Sequence, residues 1–100
     1  MFYYNISFNI EFSEFDFWLQ WVNQKFIPMM LFTELFGNPD LFKVCTDETD
    51  FFVYTLQFPV SSFADFDKFR KDYEENIKSQ VSKTFGSNVF CVTSLIEKVQ

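Results

Sequence analysis

A chain of 100 residues builds one hydrophobic core and buries about 65% of the surface that its unfolded form exposes, so a single domain over residues 1–100 is expected. A net charge of −6, with eight Lys and Arg against fourteen Asp and Glu, excludes the basic footprint by which phosphate backbones and anionic membranes are held. An aromatic share of 23%, including 17 Phe, is more bulky apolar volume than so small a core hides, which predicts a surface that meets a partner.

The opening MFYYNISF has no basic n-region, and no run approaches the roughly 18 consecutive apolar residues of a membrane span. Neither a signal peptide nor a spanning segment is read, and a cytoplasmic location is the expectation. From Tyr3 to Phe12 the chain alternates. Phe2, Tyr4, Ile6, Phe8, Ile10 and Phe12 are apolar, while Asn5, Ser7, Asn9 and Glu11 are polar, which is the period of a β-strand. The even positions form a core face. The odd positions are mostly small and uncharged where a solvated strand would carry Lys, Arg or Glu, so a second covered surface is predicted.

Ser13, with Asp16 three residues on, is placed to cap a first helix. Phe15, Trp18, Leu19, Val22, Phe26 and Met29 then share one side of a helical wheel and are assigned to the core. Phe17 and Trp21 fall on the other side, four residues apart, and are read as a contact surface. Pro28 is expected to kink or divide this segment, with a second short helix over Met29 to Phe36. Gly37 is read as its left-handed cap and Asn38-Pro39-Asp40 as a turn.

Leu41 to Thr46 and Phe51 to Val60 read as antiparallel strands joined through Asp47-Glu48-Thr49-Asp50. Phe52, Tyr54, Leu56 and Phe58 repeat the greasy face of the first strand, and Phe51, Val53, Thr55 and Gln57 repeat its nearly chargeless one. Ser61 or Ser62 caps a long helix in which Phe63, Phe66, Phe69, Tyr73, Ile77, Val81 and Phe85 recur at helical spacing, with Gly86 as its stop. Val89 to Ile96 forms a last strand whose faces its weak alternation does not assign.

The order strand, helix, strand, strand, helix, strand predicts an α+β, ferredoxin-like βαββαβ sandwich with antiparallel sheet order 4-1-3-2 and both helices on one face. Cys45 and Cys91 then occupy opposite edges, three strand spacings or about 14 Å apart, beyond disulfide reach. Both are expected to be reduced and packed.

Chemistry is sparse in this sequence. Cys91 or Ser7 would need an adjacent base to act as a nucleophile, and the chain has no histidine; no catalytic residue is assigned. Glu11 and Lys43 are the charged residues read near the open face, with the face of Lys43 left unassigned. Asp47, Glu48 and Asp50 lack the spacing and glycine of a calcium loop and read as a solvated turn, so no metal is expected. Two glycines, both read as helix stops, leave no phosphate-binding loop, and no cofactor is expected. Phe51 is placed where RNA-recognition modules stack a base, but the basic residues of such modules are missing.

The set Trp18-Leu19-Gln20-Trp21, Ile27-Pro28, Thr33, Phe36, Lys43-Val44, Tyr54, Gln57-Phe58 and Phe85-Gly86 resembles, over nearly the whole chain, a family of short bacterial proteins known as a domain of unknown function, DUF4286. Phe26 stands where many members carry His before Ile-Pro. The resemblance implies a ferredoxin-like domain akin to the dimeric α+β barrels, in which two sheets meet and can enclose a ligand. On that basis Asn5, Ser7, Asn9, Thr55 and Gln57 are the expected ligand-binding residues. Phe51 and Val53, with Phe17 and Trp21, are the expected interface of a homodimer holding a small, partly apolar molecule. The alternatives are a cofactor-independent oxygenase or isomerase of the dimeric-barrel kind and a protein-interaction module built on Phe17 and Trp21.

Overall fold

Alternation along the first strand sorts the whole molecule into two layers. A computed structural model describes residues 1–47 and 50–100. In it, strands β1 (Phe2–Glu11), β2 (Asp40–Val44), β3 (Phe51–Val60) and β4 (Val89–Glu97) form one antiparallel sheet in the order β2-β3-β1-β4. Helices α1 (Phe15–Trp21) and α2 (Ile27–Phe32) follow β1, and α3 (Phe63–Asp72) and α4 (Glu74–Phe85) follow β3. This is the ferredoxin-like order predicted above, with one face of the sheet under the helices. Glu48 and Thr49, within the predicted acidic connection, lie outside the described residues.

Tyr4, Ile6, Phe8 and Ile10 of β1 join Leu56, Phe58 and Val60 of β3 in the buried core, together with Trp18, Val22, Phe26, Met30, Phe69, Ile77, Val81 and Phe85 of the helical layer. Tyr4 packs edge-on against Phe69, and Phe8 against Trp18 and Phe26, so the even side of β1 is the floor on which the helices rest. Phe12, expected to extend that floor, belongs instead to a single 3₁₀ turn over Phe12–Glu14 and is 43% exposed. Ser13 makes no capping bond to α1.

Trp18, Val22, Phe26 and Met30 are buried at intervals of four, which a 3.6-residue turn cannot keep on one line. The chain resolves this with a π-helical turn over Val22–Phe26, in which the Ile27 N–H donates to the Val22 carbonyl five residues back. Pro28 therefore falls in the first turn of α2, and the expected division lies upstream of it. Trp21 also departs from its expected outer position. It is 7% exposed, its ring 5.3 Å from Phe26 and 5.2 Å from Phe85. The cause is α4, whose last residue crosses a flank of α1 that the wheel of an isolated helix leaves bare. Phe17 touches Phe85 as well, yet stays 51% exposed.

The end of α2 also corrects the sequence reading. The helix stops at Phe32 rather than Phe36, and the left-handed residue is Glu34 (φ 64°), not Gly37. Gly37 serves a close approach: its N–H donates to the Pro59 carbonyl at 2.9 Å, and a Cβ there would sit 3.0 Å from Pro59 Cγ. A left-handed L-residue costs about 1–2 kcal/mol, of which glycine returns part as unfolded-chain entropy. Glu34→Gly is therefore expected to stabilise the fold by about 0.5–1 kcal/mol and to raise Tm by about 2–8 °C in a calorimetric scan. An unchanged or lowered Tm would refute the strain.

Ser62 Oγ accepts the Asp65 N–H at 3.1 Å and starts α3 as expected. The long helix is broken at Tyr73 (φ −130°), which places Glu74 in the first turn of α4, where its carboxylate accepts the Tyr4 hydroxyl at 2.8 Å. Gly86, at φ 61°, ends α4. Cys45 follows one edge strand and Cys91 lies on the other; both are free, but Cys45 is exposed rather than packed because β2 is the thin rim of the sheet. Among the described residues no helix is long and apolar enough to cross a membrane.

Candidate functional site: the open sheet face

The shortest dimension of the Cα envelope, 19 Å, is that of one sheet and one helical layer, and the odd side of β1 lies opposite the helices. Register arranges its residues in rows across the sheet. Val44, Val53, Asn9 and Phe90 make one row; Phe42, Thr55, Ser7 and Val92 the next; Asp40, Gln57, Asn5 and Ser94 the third. Pro59, Tyr3 and Ile96 close one end, and Phe51 beside Glu11 closes the other.

The five predicted ligand-binding residues thus stand together as a stripe along the two central strands. Ser7 Oγ and Thr55 Oγ1 share a hydrogen bond of 2.8 Å across β1 and β3, and Thr55 is only 8% exposed although no helix covers it. Phe51 and Val53 lie on the same face. Phe17 and Trp21 belong to the helical layer on the other side of the sheet from Phe51 and Val53. Lys43 also leaves the site: it pairs with Tyr54 on the helix side, its Nζ 5.2 Å from the Phe52 ring.

What the sequence reading missed is the pair of apolar rims. Phe42 and Val44 on β2, and Phe90, Val92 and Ile96 on β4, point to the open face and are 39–63% exposed. Asp40 and Glu11 are the charged residues in these rows, both away from the Ser7 row, and among the described residues no Lys or Arg stands in the rows. Such a face offers amides and hydroxyls to a ligand. The hydrogen-bonding neighbour of Ser7 is another hydroxyl, and Cys91 faces the helices, where burial pushes its thiol up.

At the Glu11 end the face deepens into a cavity of about 250 Å³ lined by Asn9, Glu11, Phe51, Ser87, Asn88 and Phe90. One wall is fixed from beneath, because Asn88 Nδ2 donates to Glu14 Oε1 at 3.1 Å and ties the turn before β4 to the turn after β1. A depression of about 400 Å³ at the break between α3 and α4, lined by Lys71, Asp72, Tyr73, Glu75, Asn76 and Ser79, lies on the solvated helical surface instead.

Residues 1–99 match the family model described as domain of unknown function, DUF4286. No curated protein and no solved structure matches the chain.

Proposed function

This chain belongs to the DUF4286 family of domains of unknown function, and from that premise we propose that it acts as a homodimer whose open faces meet and hold a small, partly apolar ligand between them. The observation that carries this reading is the layout of the face, in which a chargeless polar stripe runs between two exposed apolar rims. A solvated sheet face carries charge, whereas exposed apolar patches of this size mark surfaces of contact. Strands of ten, five, ten and nine residues give the face a projected area of about 540 Å². Two such faces bury roughly 1,100 Å² together, just above the roughly 1,000 Å² that a specific interface needs. In the dimer the rims Phe42, Val44, Phe90, Val92 and Ile96 exclude water, while Asn5, Asn9 and Gln57 present amides to whatever lies between the sheets.

The test is the mass in solution. Light scattering coupled to size exclusion at micromolar concentration is expected to return twice the 12.1 kDa of one chain. Phe42→Lys combined with Val92→Lys is expected to give a folded monomer with an unchanged circular dichroism spectrum, because neither side chain enters the core of a single copy. A wild-type mass of 12.1 kDa overturns the proposal.

A further inference from the structure

We infer that the cavity at the Glu11 end of the open face binds a primary alkylammonium group. Glu11 pairs with Phe51 on β3, and Phe90 pairs with Asn9 two residues earlier on the other side of β1. Directly opposed strand residues lie about 5 Å apart and diagonal ones about 7–8 Å. The carboxylate therefore stands between two aromatic side chains, one on each flank. All six lining residues belong to one copy, so the site is complete without the proposed dimer, although Asn9 and Phe90 lie on the face that the dimer covers.

Three features select the ligand. Among the described residues Glu11 enters no salt bridge and no cationic side chain lines the cavity, so its charge is left for a ligand to meet. The acceptors number at least as many as the three N–H donors of an ammonium: the Glu11 carboxylate, the Asn9 amide oxygen, the Ser87 hydroxyl, and the Asn88 carbonyl, whose own amide nitrogen is engaged by Glu14. The rings of Phe51 and Phe90 then supply apolar walls for the stem and π-faces toward the cation. At about 250 Å³ the space suits a charged head and a short chain rather than a large ligand. An anionic ligand meets the repulsion of Glu11 in a chain already at −6.

The same chemistry is offered by a free amine and by the side chain of a lysine, and the test separates them. Binding of n-pentylamine, followed through the side-chain amide NMR signals of Asn9 and Asn88, is expected in the millimolar range, with 1-pentanol giving no saturable shift. Glu11→Gln is expected to weaken the amine about tenfold or more, as loss of a charge-assisted hydrogen bond does, and Phe90→Ala to weaken it severalfold. Both positions are exposed, so the variants keep their fold. If acetyl-lysine-amide with a free ε-amine binds as tightly as pentylamine, the natural source is a lysine side chain; if it binds more weakly, the source is a free amine. Equal binding of amine and alcohol, or an affinity untouched by Glu11→Gln, overturns the inference. A monomeric protein that still binds the amine would sink the dimer and leave this site standing.

Discussion

Replacing Phe8 with Ala is expected to remove about 3–5 kcal/mol of unfolding free energy, the range for deleting a buried ring whose cavity cannot close. Phe8 is fully buried at the middle of β1, an interior strand, between Tyr54 on β3 and Cys91 on β4. Its ring is edge-on to Trp18 at 5.2 Å and to Phe26 at 5.5 Å, so two oriented aromatic pairs are lost along with the buried area. Collapse is restricted because Trp18 is held in α1 and Phe26 at the end of the π-helical turn that follows it, so the two rings cannot slide together. A domain of this size has about 5–15 kcal/mol in all, so at least about a fifth of its stability rests on one ring. Urea unfolding should show a lowered midpoint with the slope retained. Phe32→Ala, at a ring 88% exposed, is the control and should stay within about 0.5 kcal/mol of wild type. A Phe8→Ala cost near that of the control would refute the packing described above.

The parts of this fold that could be read from residues alone are those that local chemistry decides. The faces of β1 and the extent and faces of β3 follow from alternation, since one set of side chains is aromatic or aliphatic and the other is largely amide or hydroxyl. The start of α3 follows from the Ser62 hydroxyl and the end of α4 from the freedom of Gly86. What could not be read depends on what packs beside an element. Trp21 looks exposed until Phe85, sixty-four residues later, covers it. The π-helical turn answers a four-residue spacing that only the finished core makes necessary. Glu34 takes the left-handed turn because Gly37 is needed further on, against Pro59. The polar stripe was visible for the same reason as β1 and β3. The rim of β4 was not: Val89, Cys91 and Leu95 alternate with Phe90, Val92 and Ile96, apolar against apolar, and only pairing with β1 tells which set faces out.

Alkaline pH should erase the advantage that the Tyr4 hydroxyl gives. Tyr4 is 1% exposed, and its hydroxyl donates to Glu74 Oε2 at 2.8 Å. Burial first, then the hydrogen bond to Glu74 and the charge of that carboxylate, hold the phenol neutral far above its ordinary range. At neutral pH, Tyr4→Phe leaves a carboxylate that is 18% exposed, with Lys78 Nζ 3.9 Å away, short of one donor. Partial access to water keeps that cost to about 1–2 kcal/mol. In the unfolded chain the phenol ionises near pH 10, while the folded chain keeps its proton. The stabilisation is complete below that pH. Above it the unfolded state binds fewer protons than the native state, so stability falls by about 1.4 kcal/mol per pH unit. The phenylalanine variant has no such group, and every other ionisable residue is common to both proteins. Their unfolding free energies, measured in urea from pH 7 to 11, should therefore differ by about 1–2 kcal/mol up to pH 10 and converge within about one unit above it. Curves that stay parallel across the range would mean that the Tyr4 hydroxyl is not sealed beneath α4.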